Sequence, residues 1–291
     1  MSQFDFTSIA DEVAAVQADA NVAKAGGGNY TPPPKGLARL RFIGYIELGK
    51  HVKKVQGKPD KNEDQAWLIF ELGGKGYEPK VLDDGTKIPF RITVKLNKSL
   101  NEKATYYKLF KRMNYEQKAT HFIQLLGQGY LGNVGHFEIP SKEAGGQPTI
   151  IANFRDDSGN LTIRPPRIEA MDETTGDVVT KSVPVPEAIG EQRCFVWDAK
   201  PEWFDKMWPS IYIPDGDDEP AEEGKEKRSR NVYQNTIKAA LNFEGSPIHQ
   251  YLQSKGADLG IPDAEDAKGA KGGKGADPAT PDNDDPLNNV G

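Results

Sequence analysis

Over residues 37–48, Ala38, Leu40, Phe42, Gly44, Ile46 and Leu48 alternate with Arg39, Arg41, Ile43, Tyr45 and Glu47. A period of two over this length predicts a strand with one buried face, its other face carrying two arginines and a tyrosine. The same pattern recurs at residues 65–72, where Ala66, Leu68, Phe70 and Leu72 point inward and Trp67 and Ile69 point away. It recurs again at 88–96, with Phe90, Ile92, Val94 and Leu96 inward and Arg91, Thr93 and Lys95 outward. The spacing then becomes helical. Asn101 is placed to cap a helix through Tyr106, Tyr107, Leu109, Phe110 and Met113, and residues 117–126 read as a second helix packing on His121, Phe122, Leu125 and Leu126. Strand character returns at 135–139 and continues as a hairpin, 149–155 and 160–164, turning at Asp157-Ser158-Gly159.

The flanks read differently. Residues 4–25 predict a short helix, closed by Gly26-Gly27-Gly28 and followed by a linker stiffened by Pro32-Pro33-Pro34. Residues 165–223 are acidic and punctuated by proline, and carry Phe195, Trp197, Trp203, Phe204 and Trp208. They predict a peripheral strand or two and then a loop at 214–226. A helix is expected over 231–243, and Ser246-Pro247 opens another. After Gly256 the chain is low in complexity and holds too little apolar area to fold. The organisation expected is a flexible arm (1–34), a core (35–255) and a disordered acidic tail (256–291). The fold class expected is α+β, mainly β: a five-stranded OB-like barrel with helical and acidic insertions.

Charge sharpens this picture. The net charge is −6, but residues 35–130 hold 19 Lys/Arg against 10 Asp/Glu, a local net of +9. Residues 168–223 hold 4 against 15, and residues 256–291 hold 3 against 8. A basic module between acidic flanks attracts phosphates although the whole chain is acidic. Single-strand binding needs cations spaced along a backbone and flat side chains for unstacked bases. The outward strand residues supply both, with Arg39, Arg41, Arg91 and Lys95 for phosphate and Tyr45 and Trp67 for stacking. Lys50, Lys53 and Lys54 follow the first strand, and Tyr107, Lys108, Lys111 and Arg112 on the first helix extend the track.

Enzymatic signatures are poor. His51, His121, His136 and His249 are scattered without metal-ligand spacing. Gly127, Gly129 and Gly132 match G-x-G-x-x-G but follow a helical segment rather than a strand. Cys194, the single cysteine, lies in an apolar run and reads as a buried structural thiol in a reducing compartment. No catalytic group, metal or cofactor is expected. The N-terminus lacks a basic leader and no apolar run reaches membrane-spanning length, so a soluble protein that stays in the cytoplasm of the cell that makes it is expected.

With residues 35–72, the strands through Arg164 and the acidic tail in view, the chain resembles bacteriophage-encoded single-stranded DNA-binding proteins of the OB-fold class. The resemblance implies template protection during phage DNA replication and recombination, with replication proteins recruited through the tail. Here Leu287 is the last large apolar residue, where family tails end in an aromatic. The alternative is a phage structural or scaffold-like protein-interaction module.

Overall fold

The computed structural model describes residues 31–53, 59–140, 148–172, 174–213, 229 and 231–256. The expected helix at 4–25, the loop at 214–226, the tail beyond Gly256 and Lys54 lie outside the described residues.

The strands are β1 (Gly36–Lys53), β2 (Lys61–Gly73), β3 (Lys80–Val81), β4 (Lys87–Ile88), β5 (Arg91–Asn97), β6 (Gly129–Ile139), β7 (Thr149–Asn153), β8 (Arg167–Met171), β9 (Val178–Ser182) and β10 (Arg193–Phe195). The helices are α1 (Thr105–Met113), α2 (Pro201–Ser210), α3 (Val232–Lys238) and α4 (Pro247–Ser254), with a 3-10 turn at Phe122–Leu125. The principal sheet runs β5-β2-β1-β6-β7, and β10 adds to β1 in parallel. Among the described residues no ladder joins β5 to β7, so the sheet is open and not closed into a barrel. The molecule is mainly β with some helix.

Both faces of the central strands β1 and β2 are buried. One core holds Leu40, Phe42, Tyr45, Leu68, Phe70, Val94, Leu109, Phe122, Tyr130 and Phe154, with α1 packed over it. The second lies on the opposite face, where Ile43, Ile46, Leu48, Trp67 and Ile69 meet Phe195, Trp197, Phe204, Tyr233, Ile237 and Leu252. Phe195, Trp197 and Phe204, from the acidic segment that looked peripheral in sequence, therefore belong to a second packed layer. Its aromatics need an apolar surface to cover, and the outer face of β1 and β2 supplies it.

A register shift in the β1–β2 ladder between Phe42 and Gly44 sets which residue enters which core. A bulge inserts one residue and reverses the side-chain phase beyond it. Ala38, Leu40 and Phe42 share the first core with Tyr45, while Ile43, Ile46 and Leu48 turn to the second. A second shift falls between Glu47 and Gly49. Gly49 has φ +84° and lies under the Trp197 ring, where a Cβ would come 2.5 Å from Cζ3. Gly49→Ala should therefore cost about 2 kcal/mol, read as a lowered urea midpoint with an unchanged slope.

Three helical expectations change. α1 starts at Thr105 with Ala104 as its N-cap, whereas the Asn101 side chain accepts from Lys103 N in the preceding turn. Residues 117–126 form only the 3-10 turn, because Asn114 closes a loop on Ala119 through both its amide atoms and His121 and Gln124 cap the turn reciprocally. α3 ends at Lys238, short of Phe243. The Ser246 cap and Pro247 start stand as expected, with the serine hydroxyl accepting from His249 N.

Candidate nucleic-acid interface

The expected strand-face site comes apart residue by residue. Tyr45 is fully buried in the first core, stacked on Phe122 at 5.2–5.6 Å from two rings, His121 edge-on and Phe122 face-on. Its hydroxyl donates to Glu47 Oε1 at 2.8 Å and meets Tyr106 Oη at 2.7 Å. It cannot stack on a base, and the bulge after Phe42 is the reason. Trp67 does turn outward, but only 9% of it is exposed: Tyr233 packs edge-on at 5.8 Å and Lys95 Nζ sits 4.4 Å above the ring. Its stacking role is lost to the second layer.

The arginines are also engaged. Arg41 donates to the carbonyls of Gly127 (2.7 Å), Val185 (2.6 Å) and Pro186 (2.9 Å) and pairs with Glu187 at 3.1 Å. It is a clamp for the strap of residues 183–189, not a phosphate ligand. Glu71 holds the same strap from β2, accepting from Ile189 N at 2.6 Å and Gly190 N at 2.9 Å, with Arg91 Nε 3.9 Å away. Arg39 borders the small cavity beside this strap with Gly73, Gly74 and Tyr77. Lys50 is exposed, and Lys53 pairs with Glu63 at 3.6 Å.

The remaining basic residues lie along β5 and α1. Arg91, Thr93, Lys95 and Asn97 form the half-exposed outer face of β5. The chain continues through half-exposed Lys98 and exposed Lys103 to α1, where Lys108, Lys111 and Arg112 are exposed and Tyr107 is half-exposed. From Arg91 to Met113 there are seven Lys/Arg against one acid, Glu102. α1 has no acid in its first turn and ends in Lys111 and Arg112, which suit its C-terminal dipole. Arg112 is fixed by a hydrogen bond to the Leu161 carbonyl, and Arg167 lies 5.1 Å over the Tyr115 ring beside it. Lys98 and Lys103 were absent from the expected site. Their signal was the charge imbalance over this stretch, which alternation on strands does not register.

Beneath this surface lies a buried polar network. Glu47, 1% exposed, accepts from Tyr45 Oη, from Lys98 Nζ at 2.8 Å and from Trp197 N at 2.9 Å, with His121 Nε2 at 3.6 Å. Burial opposes its ionisation, yet the hydrogen bonds from His121, Lys98 and Trp197 and the Lys98 charge outweigh it and hold the carboxyl at about 2. Burial pushes the Tyr106 hydroxyl up to about 12. Glu47 and His121 resemble a proton-transfer pair, but both ring nitrogens are in use: Nδ1 accepts from Ile123 N and Nε2 faces Glu47. Burial, with the Glu47 charge, likewise raises the Cys194 thiol to about 12, which keeps it protonated and a poor nucleophile.

The glycine motif is structural. Gly129 and Gly132 lie within β6, where a Cβ would come 2.9 Å from Val185 and 2.7 Å from Leu40. Among the described residues no group of three His, Cys, Asp or Glu is placed to hold a metal. Among them, too, no helix is long and apolar enough to cross a membrane. No protein-family model, curated protein or solved structure matches this chain.

Proposed function

We propose that this chain binds single-stranded nucleic acid, without strong sequence preference, along β5 and α1. The carrying observation is α1, which presents Lys108, Lys111 and Arg112 to solvent within a run from Arg91 to Met113 that holds seven Lys/Arg and one acid, of which Arg91 and Lys98 are paired with Glu71 and Glu47. The connectivity supports the same reading. Strands β1, β2 and β5, then a helix, then β6 and β7 follow the order of an OB fold, with β3–β4 as a hairpin insertion. OB folds use the face of their second and third strands. Here the second layer covers the β2 half of that face and leaves the β5 half half-exposed.

With Tyr45 and Trp67 buried, Tyr107 is the aromatic that α1 offers to a base. Binding is then governed by phosphate contacts more than by stacking, and falls steeply with salt. The role is template coating without catalysis in phage replication and recombination, as the resemblance implies.

Labelled oligo-dT titrated by fluorescence anisotropy over a range of salt tests this. Wild type should bind, and Lys108→Ala with Lys111→Ala should flatten the log–log salt slope by ~1.4, about 0.7 for each phosphate contact removed. A wild-type protein that ignores oligo-dT at low salt, or a variant with the parental slope, overturns the assignment.

A further inference from the structure

The β8–β9 hairpin leans on the body at its base, where the Arg167 guanidinium lies over Tyr115. None of its ten strand residues is buried, and among the described residues neither strand pairs with any other. Two strands alone are marginally stable in water; three or more give independent stability. Its edges differ. β8 carries Arg167 and Glu169, whereas β9 presents Val178, Val179 and Thr180 in succession, with Lys181 its one charge. β-branched residues on an open edge with little charge invite a further strand.

The register fixes which backbone groups are free. Asp172 N donates to Asp177 O and Val183 N donates to Pro166 O, so residues of that parity, including Val179 and Lys181, bond inward to β8. The N–H and C=O groups of Val178, Thr180 and Ser182 therefore face outward.

We infer that the β9 edge is a self-association surface. Two copies of this chain pair β9 antiparallel to β9, with Thr180 on the two-fold axis, to form one four-stranded sheet. In this register Val178 lies opposite Ser182 of the second copy and Val179 opposite its Lys181, so no like charges face each other. Asp177, in the turn of one copy, falls diagonally beside Lys181 of the other on the same face, twice over by symmetry. A one-step slip in register would set the outward groups of one copy opposite residues whose groups already bond to β8, and would remove both pairings. The hairpin thus gains the third and fourth strands it lacks, from a partner whose edge is identical to its own.

Sedimentation equilibrium of the full chain without nucleic acid tests this independently of the function proposed above. Wild type should approach twice 32.0 kDa as concentration rises. Thr180→Pro blocks an outward N–H without breaking a bond within the hairpin, and should stay monomeric with an unchanged melting temperature. Lys181→Glu should weaken the dimer roughly tenfold by losing two diagonal pairs, and adding Asp177→Lys should restore it. If Thr180→Pro does not fold, the charge-exchange pair decides. A wild type that remains monomeric, a dimeric Thr180→Pro, or a double variant no tighter than Lys181→Glu overturns the inference.

Discussion

Replacing Trp67 by alanine should destabilise the protein by about 3–5 kcal/mol, while the folded fraction binds oligo-dT as the parent does. Trp67 fills the seam between the two layers, against Tyr233 and beneath Lys95. A truncation there removes buried apolar area and leaves a cavity lined by Ile46, Ile69 and the α3 helix. Urea unfolding followed by far-ultraviolet circular dichroism reads the first part, and anisotropy at a temperature well below the new melting point reads the second. Loss of affinity with unchanged stability would place the indole at a base and not in the seam.

Glu47→Gln should cost about 3 kcal/mol at neutral pH, although it changes neither shape nor volume appreciably. The carboxylate ties β1 to Lys98 beyond β5, to the His121 turn and to Trp197 in the second layer. Its folded pKa of about 2 lies below the ordinary 4.5. A depressed carboxyl contributes its stability in full above the unfolded value and loses it as pH falls toward the folded one. Wild type should therefore weaken between pH 4.5 and 2, and the gap to Glu47→Gln should shrink over that same window. Parallel stability profiles for the two proteins would show that the charge contributes nothing.

Much of the fold was legible because period-two alternation marks strands without knowing their partners. β1, β2 and β5 and the turn at Asp157-Ser158-Gly159 lie where the pattern placed them, and Ala66, Leu68, Phe70 and Leu72 enter the first core. Alternation fails after Ile43, because that inserted residue between Phe42 and Gly44 reverses the side chains from Tyr45 to the next shift beyond Glu47 while the run still reads as strand. That single step moved Tyr45 from the expected binding face to the interior. Trp67 illustrates a different limit. Its face was right, but a sequence period says which way a side chain points and not what lies over it. The clue was the density of aromatics from Phe195 to Trp208, which a solvated peripheral segment does not need. The candidate interface was half legible: Arg91, Lys95, Tyr107, Lys111 and Arg112 remain on it, and the arginines of β1 do not.

The parallel pairing of Gly44 with Arg193 and Ile46 with Phe195 has a consequence for the nascent chain. A ribosome adding ~5–20 residues per second needs on the order of ten seconds to travel from Ile69 to Phe195. The first sheet is complete well before the end of that interval, and Ile43, Ile46, Trp67 and Ile69 then wait on a water-facing surface for a cover still being synthesised. Any fragment ending before β10 carries that adhesive patch permanently and trades solubility for the missing layer.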